Sequence, residues 1–142
     1  MLKNLNPILS PDLIKVLMEM GHGDEIVIAD GNYPSASNAK NLIRLDGLGC
    51  VSVLEGILSV LPLDKSSKYS VSYMNVAEGD KIPEIWTDYK NVFQNSQEEN
   101  TNIEYLERFE FYERGKNAYA IIATSETALF ANIILKKGVV EV

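Results

Sequence analysis

The chain has 142 residues, of which 46% are hydrophobic and 23% charged, the composition of one ordinary globular domain, here residues 1–142, and not of a fibre or a disordered chain. Its formal net charge of -7 disfavours phosphate backbones and anionic bilayers, which attract clustered Lys and Arg, so neither nucleic acid nor membrane is an expected partner. The single cysteine, Cys50, has no partner for a disulfide or a thiolate metal site and reads as a small buried hydrophobe.

The N-terminal stretch "MLKNLNPILSPDL" lacks the apolar core of a secretion signal, and no later run approaches the roughly 20 apolar residues of a spanning helix. A cytoplasmic protein is the expectation. Ser10 and Pro11 form a helix-start signal, and Leu13, Val16, Leu17 and Met20 repeat at helical spacing, which predicts an amphipathic helix ending at Gly21. "EIVIAD", Glu25 to Asp30, is a short β-branched run bounded by turn residues and predicts a buried strand with Asp30 at its C-terminal end. Gly31 to Lys40 reads as a loop and "NLIRL" after it as a short strand.

Ser52 and Glu55 fit a capping box, and Leu54, Ile57, Leu58 and Leu61 complete a helical stripe closed by Pro62, so a helix is predicted over Ser52 to Leu61. Tyr69 to Val76 reads as a strand ending in the turn residues Glu78, Gly79 and Asp80. Pro83 opens a third helix through Ile85, Trp86, Tyr89, Val92 and Phe93, which fades in the polar loop "QNSQEENTN". "EYLERFEFYERGK" has mixed helical periodicity with a stop at Gly115. Ala118 to Thr124 and "ANIILKKG" read as two further strands. Strands alternating with helices predict an α/β layered domain with a largely parallel sheet, in which ligands bind outside the carboxyl ends of the strands.

His22, the only histidine, sits between Gly21 and Gly23 just past the first helix. There a helix dipole favours the imidazolium, and the glycines leave the ring accessible, which suits a proton donor; a capping or solvent-exposed histidine is the plainer alternative. Asp30 can pair with His22 to fix its tautomer, act as an opposing base, or simply form a turn. Asp24 and Glu25 are expected to cap the turn or stay in water. A metal site from His22, Asp24 and Asp30 lacks any supporting spacing. "RFEFYER", Arg108 to Arg114, interleaves aromatics with charges, which fits stacking on sugar faces and a guanidinium fork on hydroxyls, or else a plain amphipathic surface. "DGLG" is too short for a dinucleotide fingerprint, and no GxSxG, CxxC or P-loop pattern occurs.

"LIKVLMEMGHGDEIVIADGNYP", "RFEFYERGKNAYAIIAT" and "ANIILKKGV", with "VAEGD" at Val76 to Asp80 between them, together resemble the RbsD/FucU family of sugar mutarotases over nearly the whole chain. Within it they resemble the branch acting on L-fucose, because the D-ribose pyranase branch carries a second histidine where this chain has Arg108. The resemblance implies a three-layer α/β/α protomer in a ring-shaped homodecamer, with pockets at subunit contacts and neither cofactor nor metal. It implies interconversion of the α and β anomers of a free sugar, with His22 as proton donor and Asp30, Arg108 and the segment holding Phe130 and Asn132 lining the sugar site. Tyr112, Glu113 and Tyr119 are further pocket or interface candidates, with core burial the plainer role for Tyr119. Where the family usually has tyrosine this chain has Phe130, so one hydroxyl contact to sugar is missing.

The expected mechanism has His22 protonate the ring oxygen, Asp30 orient and charge it, and Arg108 hold sugar hydroxyls. Asp30 or a water takes the proton of the anomeric hydroxyl. The competing readings are a D-ribose pyranase, a sugar-binding ring protein without catalysis, suggested by Phe130, and, more distantly, a metal-dependent hydrolase.

Overall fold

A computed structural model describes residues 1–142. Its six strands are β1 (Glu25–Ala29), β2 (Leu42–Leu45), β3 (Val71–Met74), β4 (Ile103–Leu106), β5 (Ala120–Thr124) and β6 (Ile133–Lys136). They form one sheet in the order β2-β5-β1-β6-β3-β4. The pairs β1/β5, β2/β5 and β3/β4 are parallel. β6 alone runs antiparallel, to both β1 and β3. The connection from β5 to β6 is too short to cross back over the sheet, so the strand it feeds must return in the opposite direction.

Strand periodicity splits the core. Along β1, Ile26 and Ile28 enter one apolar cluster, which also takes residues of α1 (Pro11–Glu19), α3 (Cys50–Leu58) and α4 (Ile85–Ser96). Val27 and Ala29 enter the other, with Tyr33 beside α2 (Ser35–Asn38) and Phe111 of α5 (Arg108–Asn117). Both faces of β1 are buried, which is why it reads as a continuous apolar run. The result is the expected α/β/α arrangement of three layers. No helix is long and apolar enough to cross a membrane.

Several element boundaries differ from expectation: α3 ends at Leu58 rather than Leu61, β3 is shorter than Tyr69–Val76, and α4 continues to Ser96 into the stretch read as loop. α3 begins at Cys50, because the carboxylate of Glu126 accepts the Cys50 N–H at 3.0 Å, while the Ser52 hydroxyl donates back to the Gly49 carbonyl inside the first turn. "EYLERFEFYERGK" is two elements, β4 and α5, divided at Glu107, whose side chain accepts from the N–H groups of Phe109 and Glu110. Gly115 does not stop α5. It lies within the helix, and a Cβ there would fall 2.1 Å from the Tyr33 hydroxyl, so glycine permits a close approach to Tyr33. The segment read as loop after Gly31 contains the single turn α2.

Candidate active site

The carboxyl ends of the five parallel strands and the start of β6 share one edge of the sheet, and this edge holds most of the expected sugar-site residues. Asp30 follows β1 and Asn132 precedes β6, and the two are locked together. The Asn132 side-chain oxygen accepts the Asp30 N–H at 2.7 Å, and its amide donates to Asp30 Oδ2 at 3.1 Å. The Asn32 N–H donates to Asp30 Oδ1 at 3.0 Å. Asp30 is 6% exposed, and burial raises its carboxyl above the usual range, partly opposed by donors including Asn32 and Asn132.

Beside them, Phe130 has a φ of 55°, a left-handed conformation uncommon outside glycine and costing on the order of 1–3 kcal/mol. Two side chains of α4 hold it. The Trp86 indole donates to the Phe130 carbonyl at 2.9 Å, and the Tyr89 hydroxyl donates to the Ala131 carbonyl at 2.6 Å. Neither residue stood out in the sequence as more than a core position. At the start of α5, Arg108 lies over the rings of Phe109 and Tyr112 at 5.3 and 5.4 Å, and its Nε donates to the Tyr112 hydroxyl at 3.1 Å. Arg108, Phe109 and Tyr112 thus form an aromatic shelf carrying a guanidinium, while Phe111 is buried, and Tyr112 and Phe130 both pack against the smaller apolar cluster.

His22 lies at the opposite edge. Asp24 N–H bonds to the Gly21 carbonyl at 3.1 Å, and Gly23 has a φ of 88°, the positive angle a type II turn requires at its third residue. Lys136, Lys137 and Gly138 run past this turn. Gly23 N–H donates to the Lys137 carbonyl and Asp64 N–H to the Lys136 carbonyl, so two remote segments meet across the end of β6.

There His22 Nε2 lies 3.0 Å from Asp64 Oδ1. The His22 side chain is 49% exposed and that of Asp64 is 4% exposed. Asp64 also accepts from the Ser66 N–H at 3.0 Å, the Ser66 hydroxyl at 2.7 Å and the Ser67 hydroxyl. The Ser67 donor above all, then those of His22 and Ser66, hold the carboxyl well below the usual carboxylate range against the cost of burial. An ionised carboxylate only accepts, so Nε2 carries the proton and Nδ1 is the free nitrogen of the neutral ring.

This arrangement corrects one expectation. Asp64 orients His22, and Asp30 does not. The strand between them separates His22 from Asp30 by about 20 Å within one chain, so a site from His22, Asp24 and Asp30 cannot form. The Asp24 carboxylate is instead bonded to the Gly21 N–H at 2.7 Å. Glu25 is not in water: it pairs with Arg114 at 2.6 Å. Glu113 makes an exposed pair with Lys116, and Tyr119 packs its half-buried ring against the larger apolar cluster while its hydroxyl donates to Glu19 at 2.7 Å. Cys50 is fully buried and burial pushes its thiol up to about 11, consistent with a packing role. Asp64 was missed by sequence reasoning. The signal was "LDKSS", an Asp followed closely by two serines, a pattern that folds hydroxyls back onto a carboxylate.

Comparison with known proteins places the chain in a family. The model of the RbsD / FucU transport protein family matches residues 3–140. The chain belongs to the RbsD/FucU family. An L-fucose mutarotase of Haemophilus influenzae is 44% identical over 140 residues, covering 98% of this chain and 97% of the relative. Among solved structures, the fucose mutarotase of Streptococcus pneumoniae in complex with L-fucose superposes with a TM-score of 0.95 at 55% identity, covering 99% of this chain and 100% of that one. FucU from Bifidobacterium longum gives a TM-score of 0.92 at 45% identity, covering 98% and 100%. Members of the RbsD/FucU family this similar share the whole of the architecture above.

Proposed function

We propose that this protein is an isomerase that interconverts the α and β anomers of L-fucose. The observation that carries the reading is its end-to-end likeness to fucose mutarotases, one of them solved with L-fucose bound. The His22–Asp64 pair gives that reading a chemistry.

Mutarotation needs one proton delivered to the ring oxygen and one removed from the anomeric hydroxyl. The opened aldehyde then rotates about its C1–C2 bond and recloses with the proton transfers reversed. A positioned acid and base supply about 10²- to 10⁴-fold, and no proton or electron is left over. His22 is the donor to the ring oxygen: Asp64, kept ionised, stabilises the imidazolium while Nε2 is engaged, leaving Nδ1 to exchange the proton. Asp30, whose carboxyl burial raises, is suited to take the proton of the anomeric hydroxyl. Arg108 offers its fork to sugar hydroxyls from the shelf of Phe109 and Tyr112, and Asn132 and Phe130 complete the wall. No cofactor or metal enters these steps.

His22 and Asp30 act on one sugar only if they come from different copies, because within a chain they occupy opposite edges. The site we assign is therefore composite, with the His22–Asp64 edge of one protomer against the Asp30–Arg108–Asn132 edge of the next. A head-to-tail contact whose rotation closes generates a ring, and a ring-shaped homodecamer is the assembly we propose. Phe109 and Leu129, 65% and 67% exposed at the Asp30 edge, supply apolar surface for such a contact. We take the protein to be cytoplasmic, where a free monosaccharide would be its substrate.

The substrate is tested by saturation-transfer NMR with L-fucose and D-ribose in parallel. Accelerated anomer exchange on L-fucose, with D-ribose exchange near its rate in buffer, is expected. The opposite preference would assign the protein to pyranase chemistry, and saturable binding of L-fucose without acceleration to a binding protein.

A further inference from the structure

The polar stretch "QNSQEENTN" reads in sequence as a loop and takes no part in the chemistry above, yet it grips the turn that carries Asp64. Gln97 ends α4 in a left-handed conformation with a φ of 60°, which turns the chain back toward residues 63–67. Glu98 Oε2 accepts the Leu63 N–H at 3.2 Å, and Glu99 pairs with Lys65 at 3.2 Å. The central contact is that of Asn100. Its amide donates one hydrogen to the Asp64 carbonyl at 2.9 Å and the other to the Ser67 carbonyl at 2.8 Å. Its own carbonyl accepts from the Ser70 hydroxyl, and its side-chain oxygen from the Asn102 N–H.

Asp64 and Ser67 are the two ends of the turn whose Ser66 and Ser67 donors face the Asp64 carboxylate. One amide joining both carbonyls fixes the spacing at which the Ser66 and Ser67 hydroxyls can reach that carboxylate, and so fixes the oxygen that holds His22 Nε2. We infer that Asn100 is a positioning residue for the anomer-exchange site, setting the Asp64 turn against His22 without touching sugar. This rests on the reading of His22 as the proton-transferring group.

The other charged groups near the pair are accounted for. Lys136 reaches the Ser67 hydroxyl at 3.4 Å, Lys65 is committed to Glu99 and Glu141, and Asp24 to the Gly21 N–H. None of them bridges the turn.

The chain has one histidine, so ¹⁵N NMR of labelled protein reports His22 alone. The full-length wild type is compared with Asn100→Ala, Asn100→Ser, which retains one donor, and Asn102→Ala, which removes a bond to the Lys68 carbonyl at 3.4 Å in the same loop. Wild type is expected to show the Nε2–H tautomer with a hydrogen-bonded Nε2 proton. In Asn100→Ala the two tautomers should average and that proton signal disappear, while the maximal exchange rate on L-fucose falls about tenfold, the worth of one charge-assisted hydrogen bond at its lower end. KM should change less than about twofold, since the same binding groups remain. Asn100→Ser should be intermediate and Asn102→Ala like wild type. A wild-type imidazole spectrum in folded Asn100→Ala overturns the inference, as does the same spectral change in Asn102→Ala, which would mean general loosening of the loop. The spectrum is independent of turnover, so a wild type that exchanges no sugar refutes the function reading while the nitrogen signals still decide the placement.

Discussion

Replacing Asp64 by Asn keeps the side chain's shape and removes its charge. One oxygen remains to accept from the Ser66 N–H and face His22, so the turn keeps its fold. The imidazole loses a charge-assisted hydrogen bond, a contact worth about 1.5–3 kcal/mol. At about 1.36 kcal/mol per decade, and with the loss falling on proton transfer, exchange should slow about 10- to 150-fold. Asp64→Ala is the poorer probe, because it leaves the Ser66 N–H and both serine hydroxyls without their acceptor and adds a folding defect. The assay is saturation transfer between the α and β resonances of L-fucose, with KM measured alongside. Asp64 acts only through His22, so Asp64→Asn should add no further loss in a His22→Ala background. Wild-type exchange in Asp64→Asn, or losses that multiply in the double variant, would refute the role given to the pair.

Three further outcomes follow from the same geometry. Arg108→Lys loses the planar fork that stacks on Phe109 and Tyr112, so KM for L-fucose should rise about tenfold or more with a smaller change in maximal rate; a pure loss of maximal rate would place Arg108 in the proton transfers instead. If each site takes His22 from one copy and Arg108 from another, co-refolding the impaired His22→Ala and Arg108→Ala chains should restore activity to about a quarter of the sites in a head-to-tail ring. Mixtures no more active than their parents would count against the composite site. Asp64 titrates below its ordinary value of 3.8, so its contribution to stability is full above that value and is lost as pH falls below it. Ser67→Ala removes the largest cause of that depression, so its melting temperature should lie below wild type at neutral pH, with the gap narrowing progressively as pH falls below about 4 toward the depressed folded-state value; a gap that stays constant on acidification would show that the Ser67 hydroxyl acts elsewhere.

Much of the fold was legible because its signals are local. The Ser10–Pro11 start and the stripe Leu13, Val16, Leu17 define α1, and the apolar runs of β1 and β5 declare strands buried on both faces. The boundary of α3 was not legible, because the group at its N-terminus, Glu126, is 76 positions away from Cys50 in the chain. β4 and α5 merged in the reading because only Leu106 of that strand is buried and the helix follows after a single residue. For the candidate site, His22, Asp30, Arg108 and Asn132 could be singled out as residue types, but the link from His22 to Asp64 spans 42 positions and depends on how the sheet end assembles. The mistaken pairing of His22 with Asp30 was avoidable from sequence alone. One residue stood before the predicted strand and the other at its end, and an extended strand keeps its ends apart.

The most direct test of the central claim is anomer exchange on L-fucose by wild type and by His22→Ala. Wild type should accelerate exchange clearly, and His22→Ala should lose that acceleration by about 10²-fold or more. Undiminished exchange in folded His22→Ala would contradict it.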